Sequence, residues 1–138
     1  MLEVIYGKRG SGKTKTLIQS ANTALKDCTG DIVYIDDDNR CILDLNHEIR
    51  FMNAKEYDIM TTTGLRGFIC GVLASDYDIK EIYIDGFPKI VGCKKADQLE
   101  ETVEKINEIG KKHNVKVILS ISGEKGQEPE FIKEYIKK

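Results

Sequence analysis

Gly7-Lys8-Arg9-Gly10-Ser11-Gly12-Lys13-Thr14 satisfies G-x-x-x-x-G-K-[ST] at every fixed position, between the apolar run Leu2-Glu3-Val4-Ile5-Tyr6 and a helical pattern. Strand, loop and helix in that order is the setting in which such a loop wraps phosphate. Glycine at 7, 10 and 12 lets the backbone turn tightly and brings its N–H groups against phosphate oxygens. Lys13 would reach the β- and γ-phosphates as a mobile point charge, and the Thr14 hydroxyl would ligate Mg²⁺. The helix N-terminus behind them adds partial positive charge. The expected site binds a nucleoside triphosphate through Gly7, Lys8, Arg9, Gly10, Ser11, Gly12, Lys13, Thr14 and Lys15. An ordinary solvated loop is the competing reading, and it leaves the flanking strand and helix without a purpose.

Downstream of the loop, Leu17, Ile18, Ala21, Ala24 and Leu25 recur at helical spacing from about Lys13 to Lys26, with Gly30 as a stop. Asp31-Ile32-Val33-Tyr34-Ile35-Asp36 is a nearly unbroken β-branched run, the pattern of a parallel strand covered on both faces. It ends in Asp36-Asp37-Asp38, at the edge where ligands bind open α/β sheets. With Lys13, Asp37 and Asp36 are the candidate catalytic residues, positioning water near the γ-phosphate; the alternative is a polar turn with capping aspartates. Glu81-Ile82-Tyr83-Ile84-Asp85 is a second strand ending in an acid, and Asp85 is the expected partner of Thr14 around the metal.

Less distinctive segments fill the intervals. Cys41–Leu45 and Glu48–Met52 flank Asn46-His47 and read as a hairpin or short strand pair, with His47 a turn residue. Thr61 to Thr63 would cap a helix carrying Leu65, Phe68, Ile69, Val72 and Leu73, a core stripe on which Arg66 reads as a solvated charge. Gly86-Phe87-Pro88 reads as a turn and the segment through Cys93-Lys94-Lys95 as a loop flanking the ligand. Asp97 and Glu100 open a helix with Leu99, Val103, Ile106 and Ile109, closed by Lys111-Lys112 and ending near His113 and Asn114. Val115–Ser122 is a further core strand. One of its serines, Ser120 or, by preference, Ser122 at its tip, is a candidate γ-phosphate sensor, against the plainer reading of a strand end. Phe131, Ile132, Tyr135 and Ile136 give the tail one apolar face, read as a last helix after Pro129 and ending in Lys137-Lys138.

In total, 138 residues with 41% hydrophobic and 32% charged content fit one globular domain over residues 1–138. Nothing approaches the roughly 18 apolar residues of a membrane span, and no signal peptide precedes the first strand, so a cytoplasmic protein without membrane contact is expected. Four cysteines without a C-x-x-C pair and two unpaired histidines read as ordinary thiols and turn residues, not as a zinc site. A net charge of −2 supplies no broad field for nucleic acid.

The loop at 7–14 together with Asp85 resembles the P-loop NTPase superfamily, and the order of elements is similar to its RecA/AAA side, small bacterial ATP-binding proteins and compact thymidine kinases among them. The resemblance implies a three-layer α/β sandwich with a mainly parallel sheet, in which the 115–122 strand lies between the 2–6 and 81–85 strands and the 31–36 strand follows (order 1-4-3-2). It further implies ATP and Mg²⁺ as cofactors and a slow or partner-stimulated ATPase; a small-molecule kinase or a non-hydrolysing switch are the alternatives. Many such ATPases carry Glu directly after the metal-binding Asp, where this chain has Gly86. RecA-like relatives place the acid on the neighbouring strand, which would assign it to Asp36, Asp37 or Asp38. The nearest match to a guanine-reading [NT]-K-x-D is Lys94-Lys95-Ala96-Asp97, which lacks Asn or Thr, so ATP is favoured over GTP. With no fifth core strand after Ser122, the phosphate-loop strand is expected at an edge, covered by the last helix or by a second subunit or protein partner.

Overall fold

A computed structural model of the chain describes residues 2–93 and 99–136. Its regular elements are β1 (Leu2–Gly7), α1 (Lys13–Ala24), β2 (Asp31–Asp36), β3 (Arg50–Asn53), α2 (Thr62–Ser75), β4 (Ile79–Ile84), α3 (Phe87–Ile90), α4 (Glu100–His113) and β5 (Lys116–Ser122). Short 3-10 segments follow β3 at Ala54–Tyr57 and close the tail at Glu130–Tyr135. The strands form one sheet in the order β1-β5-β4-β2-β3, with every pairing parallel. The four long strands thus stand in the expected order, and all strand C-termini share one edge.

Parallel strands covered on both faces need apolar side chains at every position, and Ile32, Val33, Tyr34 and Ile35 are all wholly buried. Alternation sends Val33, Ile35, Ile82 and Ile84 to one face. There they pack against Leu65 and Ile69 of α2, Phe87 of α3, Val103 and Ile106 of α4, and Ile132 of the tail. Ile32, Tyr34, Tyr83 and Ile118 face the other way, against Leu17 and Ala21 of α1 and Cys41, Leu45 and Ile49 of the β2–β3 connection. Each large aliphatic side chain buried in these layers contributes about 1.5–3 kcal/mol. On the α1 side Phe51, Tyr34 and Tyr83 lie in register across β3, β2 and β4 and stack, with centroids 6.3 and 6.1 Å apart.

Two expectations are corrected. No hairpin forms between Cys41 and Met52: β3 runs parallel to β2, so the chain must cross over between them, and residues 37–49 do so as successive turns. Asn22 of α1 holds this crossover. Its Nδ2 donates to the Asp44 carbonyl at 2.9 Å and its Oδ1 accepts from the Asn46 N–H at 2.8 Å. The second correction is the tail, which forms a 3-10 segment instead of an α-helix and buries Ile132, after which Ile136 bridges in parallel to Val4. Part of the free edge of β1 is therefore covered by the chain itself. The fifth strand, β3, lies at the opposite edge.

Other boundaries follow local chemistry. Thr61 Oγ1 caps α2 by accepting from the Gly64 N–H at 2.9 Å. Asn114 ends α4 in the left-handed region at φ 56°. The readings placed on Lys94–Asp97 and on Lys137-Lys138 lie outside the described residues. Among the described residues no helix is long and apolar enough to cross a membrane.

Candidate functional site

The turn from β1 into α1 places the 7–14 loop at the edge where all strands end. Gly10 and Gly12 have φ of +82° and +91°, and a Cβ at either would meet nothing within 4 Å. Their side-chain positions thus face open space, while the conformation itself excludes other residues. Gly7 differs: a Cβ there would come within 2.7 Å of Ser11 Oγ. Lys13 opens α1, and its Nζ folds back to donate to the Gly7 carbonyl at 3.1 Å and the Lys8 carbonyl at 2.8 Å. Burial holds the Lys13 pKa below its usual value, against the opposing pull of Asp85. A loop whose lysine ties its own carbonyls presents its amides and an ammonium together to an anion.

The loop forms one bank of a cleft of about 730 Å³. Arg9, Gly10, Gly12, Lys13 and Thr14 line that bank, and Asp37, Arg40, Asp85, Gly86, Pro88, Lys89, Gly92, Cys93, Ser120 and Ser122 line the rest. Gly7, Lys8, Ser11, Lys15 and Asp36 are not among the lining residues; Lys8 instead pairs with Glu124 at 3.5 Å. Arg66 does not reach the cleft either.

Asp85 continues the β4 ladder, its N–H donating to the Ile35 carbonyl at 2.8 Å. Both of its carboxylate oxygens are held by neighbouring strands. Tyr34 Oη donates to Oδ2 at 3.0 Å and Ser120 Oγ donates to Oδ1 at 2.9 Å, while Ser120 Oγ itself accepts from the Gly86 N–H at 2.8 Å. Burial, followed by the charge of Asp85, raises the Tyr34 pKa far above its ordinary range, so the hydroxyl remains a donor. A carboxylate fixed from two sides keeps lone pairs on each oxygen for a cation or a bound water.

The acids at 36–38 separate into different roles. Asp36, wholly buried, accepts from the Asp37 N–H at 2.7 Å and from the Cys41 thiol at 3.5 Å. Burial and the adjacent Asp37 carboxyl push its pKa up to about 7, against the lowering effect of that N–H. Burial and the Asp36 carboxylate likewise push the Cys41 thiol up to about 12. Asp37 is 2% exposed yet stands on the cleft wall, and neither of its oxygens has a well-aligned hydrogen-bond donor among the described residues. Burial would raise its pKa, but its contact with Asp36 and the Lys89 ammonium, 3.2 Å from Oδ2, outweigh that and hold it low. Asp38 is taken up by Arg40, whose Nε lies 2.7 Å from its Oδ2. The three carboxylates approach one another within 4.8 Å.

Of the residues expected from sequence, the fold therefore brings Lys13, Thr14, Asp37 and Asp85 to one cleft and sets Asp36 behind Asp37. Sequence reading passed over Tyr34 and Lys89, and it set Ser120 second to Ser122. A serine inside the apolar run Leu119-Ser120-Ile121 was the available signal for Ser120, because a buried hydroxyl needs a partner. Compared with known proteins, no family model and no curated protein matches this chain.

Proposed function

We propose that the chain is a Mg²⁺-dependent ATP-binding protein of the P-loop NTPase superfamily, on its RecA/AAA-like side, and a slow or partner-stimulated ATPase. The observation that carries this reading is the placement of Lys13 and Thr14 across one cleft from Asp85, with an acid of the neighbouring strand, Asp37, on the same wall. The residues fit such an ion and nucleotide. Two glycines leave open space where phosphate oxygens would approach, and a hydroxyl and an anchored carboxylate supply hard oxygen donors of the kind Mg²⁺ takes. Thr14 and Asp85 would hold the ion, which when bound neutralises charge on the β- and γ-phosphate oxygens.

The chain's own groups then divide the work. Loop amides and Lys13 bind and orient the phosphates, and Tyr34 and Ser120 keep Asp85 aimed. Asp37 accepts a hydrogen bond from the attacking water and aligns it. Gly86 leaves the position after Asp85 without a carboxylate, so water is positioned from β2 alone and turnover is slow. The extension of the cleft to Pro88 and Gly92 favours, as second reading, a small acceptor hydroxyl in place of water.

The deciding experiment measures binding of Mg-ATP and phosphate release, with and without candidate acceptors, for wild type beside Lys13→Ala. Turnover lost in that variant supports the ATPase; transfer only with an acceptor supports the kinase; tight binding without turnover leaves a nucleotide-dependent switch. Absence of any nucleotide binding by the wild-type protein overturns the reading.

A further inference from the structure

Lys89 sits four residues beyond Asp85 on a short, firmly seated turn of helix. Phe87 and Ile90 are buried on either side of it and the Ile90 N–H donates to the Gly86 carbonyl at 2.9 Å, so the backbone beneath Lys89 is fixed. Its side chain is not: 58% of it is exposed, and its ammonium meets Asp37 Oδ2 at 3.2 Å inside the cleft. The pair is lopsided. Asp37 is buried and has no aligned hydrogen bond of its own, whereas Lys89 is solvated and can leave at little cost.

The other cations on the cleft wall are differently committed. Lys13 is bound to the loop's carbonyls, Arg9 rides on the exposed loop, and Arg40 is held by Asp38. Lys89 is the cation on the bank facing the loop whose partner, Asp37, is the group we assign to the incoming water.

We propose that Lys89 senses the terminal phosphate: it pairs with Asp37 as the structure shows and transfers to the γ-phosphate when a nucleoside triphosphate binds. The proposal rests on the nucleotide reading of the cleft given above. A γ-phosphate carries more negative charge than a single carboxylate and offers three acceptor oxygens, so it outcompetes Asp37 for the ammonium. Asp37, released, takes its missing hydrogen bond from water. The same movement would place within the chain a positive charge of the kind that related enzymes recruit as an arginine from a neighbour. A diphosphate lacks the group that draws Lys89 away, so the two nucleotides should be told apart by this residue.

The test compares dissociation constants for Mg-ADP and for a non-hydrolysable Mg-ATP analogue in wild type, Lys89→Gln and Lys89→Arg. Lys89→Gln should weaken the triphosphate about tenfold with less than about a twofold change for ADP, and Lys89→Arg should restore most of the preference. Equal effects on both nucleotides, or none, overturn the proposal. If Lys89→Gln melts early because Asp37 is left unpaired, the double variant Asp37→Asn/Lys89→Gln removes that charge. It should lack the preference as well, and a double variant that still prefers the triphosphate as wild type does overturns the proposal. A wild-type protein that binds neither nucleotide refutes the underlying reading of the cleft; one that binds both while Lys89→Gln is silent refutes only the role of Lys89.

Discussion

The two banks of the cleft are built from different materials. The 7–14 bank is main chain: glycines at positive φ, carbonyls and amides, with one lysine folded over them. The facing bank is made of side chains brought together from β2, β4, β5 and α3, and its key carboxylate is held by a tyrosine and a serine 51 and 35 residues away in sequence. A bank of backbone is specified by adjacent residues and tolerates few substitutions. A bank of side chains depends on strand order, and its members can be removed one at a time.

That contrast can be broken most sharply from the first bank. Lys13→Ala should lower affinity for Mg-ATP about a hundredfold, read by calorimetry, with the fold intact because Lys13 bonds only to the loop itself. On the second bank the largest effect is in pH. Asp36 is protonated more readily in the folded protein than in the unfolded chain, so its contribution is full below about pH 4 and is lost as pH rises through about 7. Asp37 has the opposite sign, its pKa being held low, and its contribution is already complete above the ordinary carboxylate range. Of these two carboxyls only Asp36 changes its contribution between about pH 5 and 7, so the melting temperature should fall over that interval, and the fall should be smaller in Asp36→Asn.

Tyr34→Phe removes a buried hydrogen bond to a carboxylate and should destabilise the protein by about 2 kcal/mol in chemical denaturation, the stacked ring being retained. If Asp85 holds Mg²⁺ as proposed, Asp85→Asn should lower the Mg²⁺-dependent part of nucleotide affinity about tenfold and leave binding in chelator almost unchanged, which separates the Asp85 side of the cleft from the loop side. Smallest of all, Arg40→Ala breaks a solvent-exposed pair with Asp38 and should alter stability by less than about 0.5 kcal/mol.

The same division explains what could be read from the sequence. The loop and the strand runs ending at Asp36 and Asp85 were legible because each rests on contiguous residues, whereas the place of β5 between β1 and β4 came only as what the resemblance to RecA/AAA-like proteins implies. The four-residue β3, Arg-Phe-Met-Asn, was legible as a short strand but not in its parallel pairing: Phe51 serves the aromatic row with Tyr34 and Tyr83, a cross-strand fact that its own neighbours do not announce. The tail misled through its helical spacing, since Ile132 and Ile136 face the core and the β1 edge from a tighter 3-10 turn and an extended end. Tyr34 lay hidden inside an apolar strand, Ser120 ranked behind Ser122, and Lys89 fell in a segment that reads as a turn and a loop flanking the ligand where the structure has the short helix α3.

The pairing of β1 with β5 joins Leu2 to Val117 and Gly7 to Ser122. On the ribosome, the strand that carries the glycine loop is therefore made well before residues 116–122, the strand it pairs with. Translation must deliver residues 116–122 before the β1–β5 ladder can close.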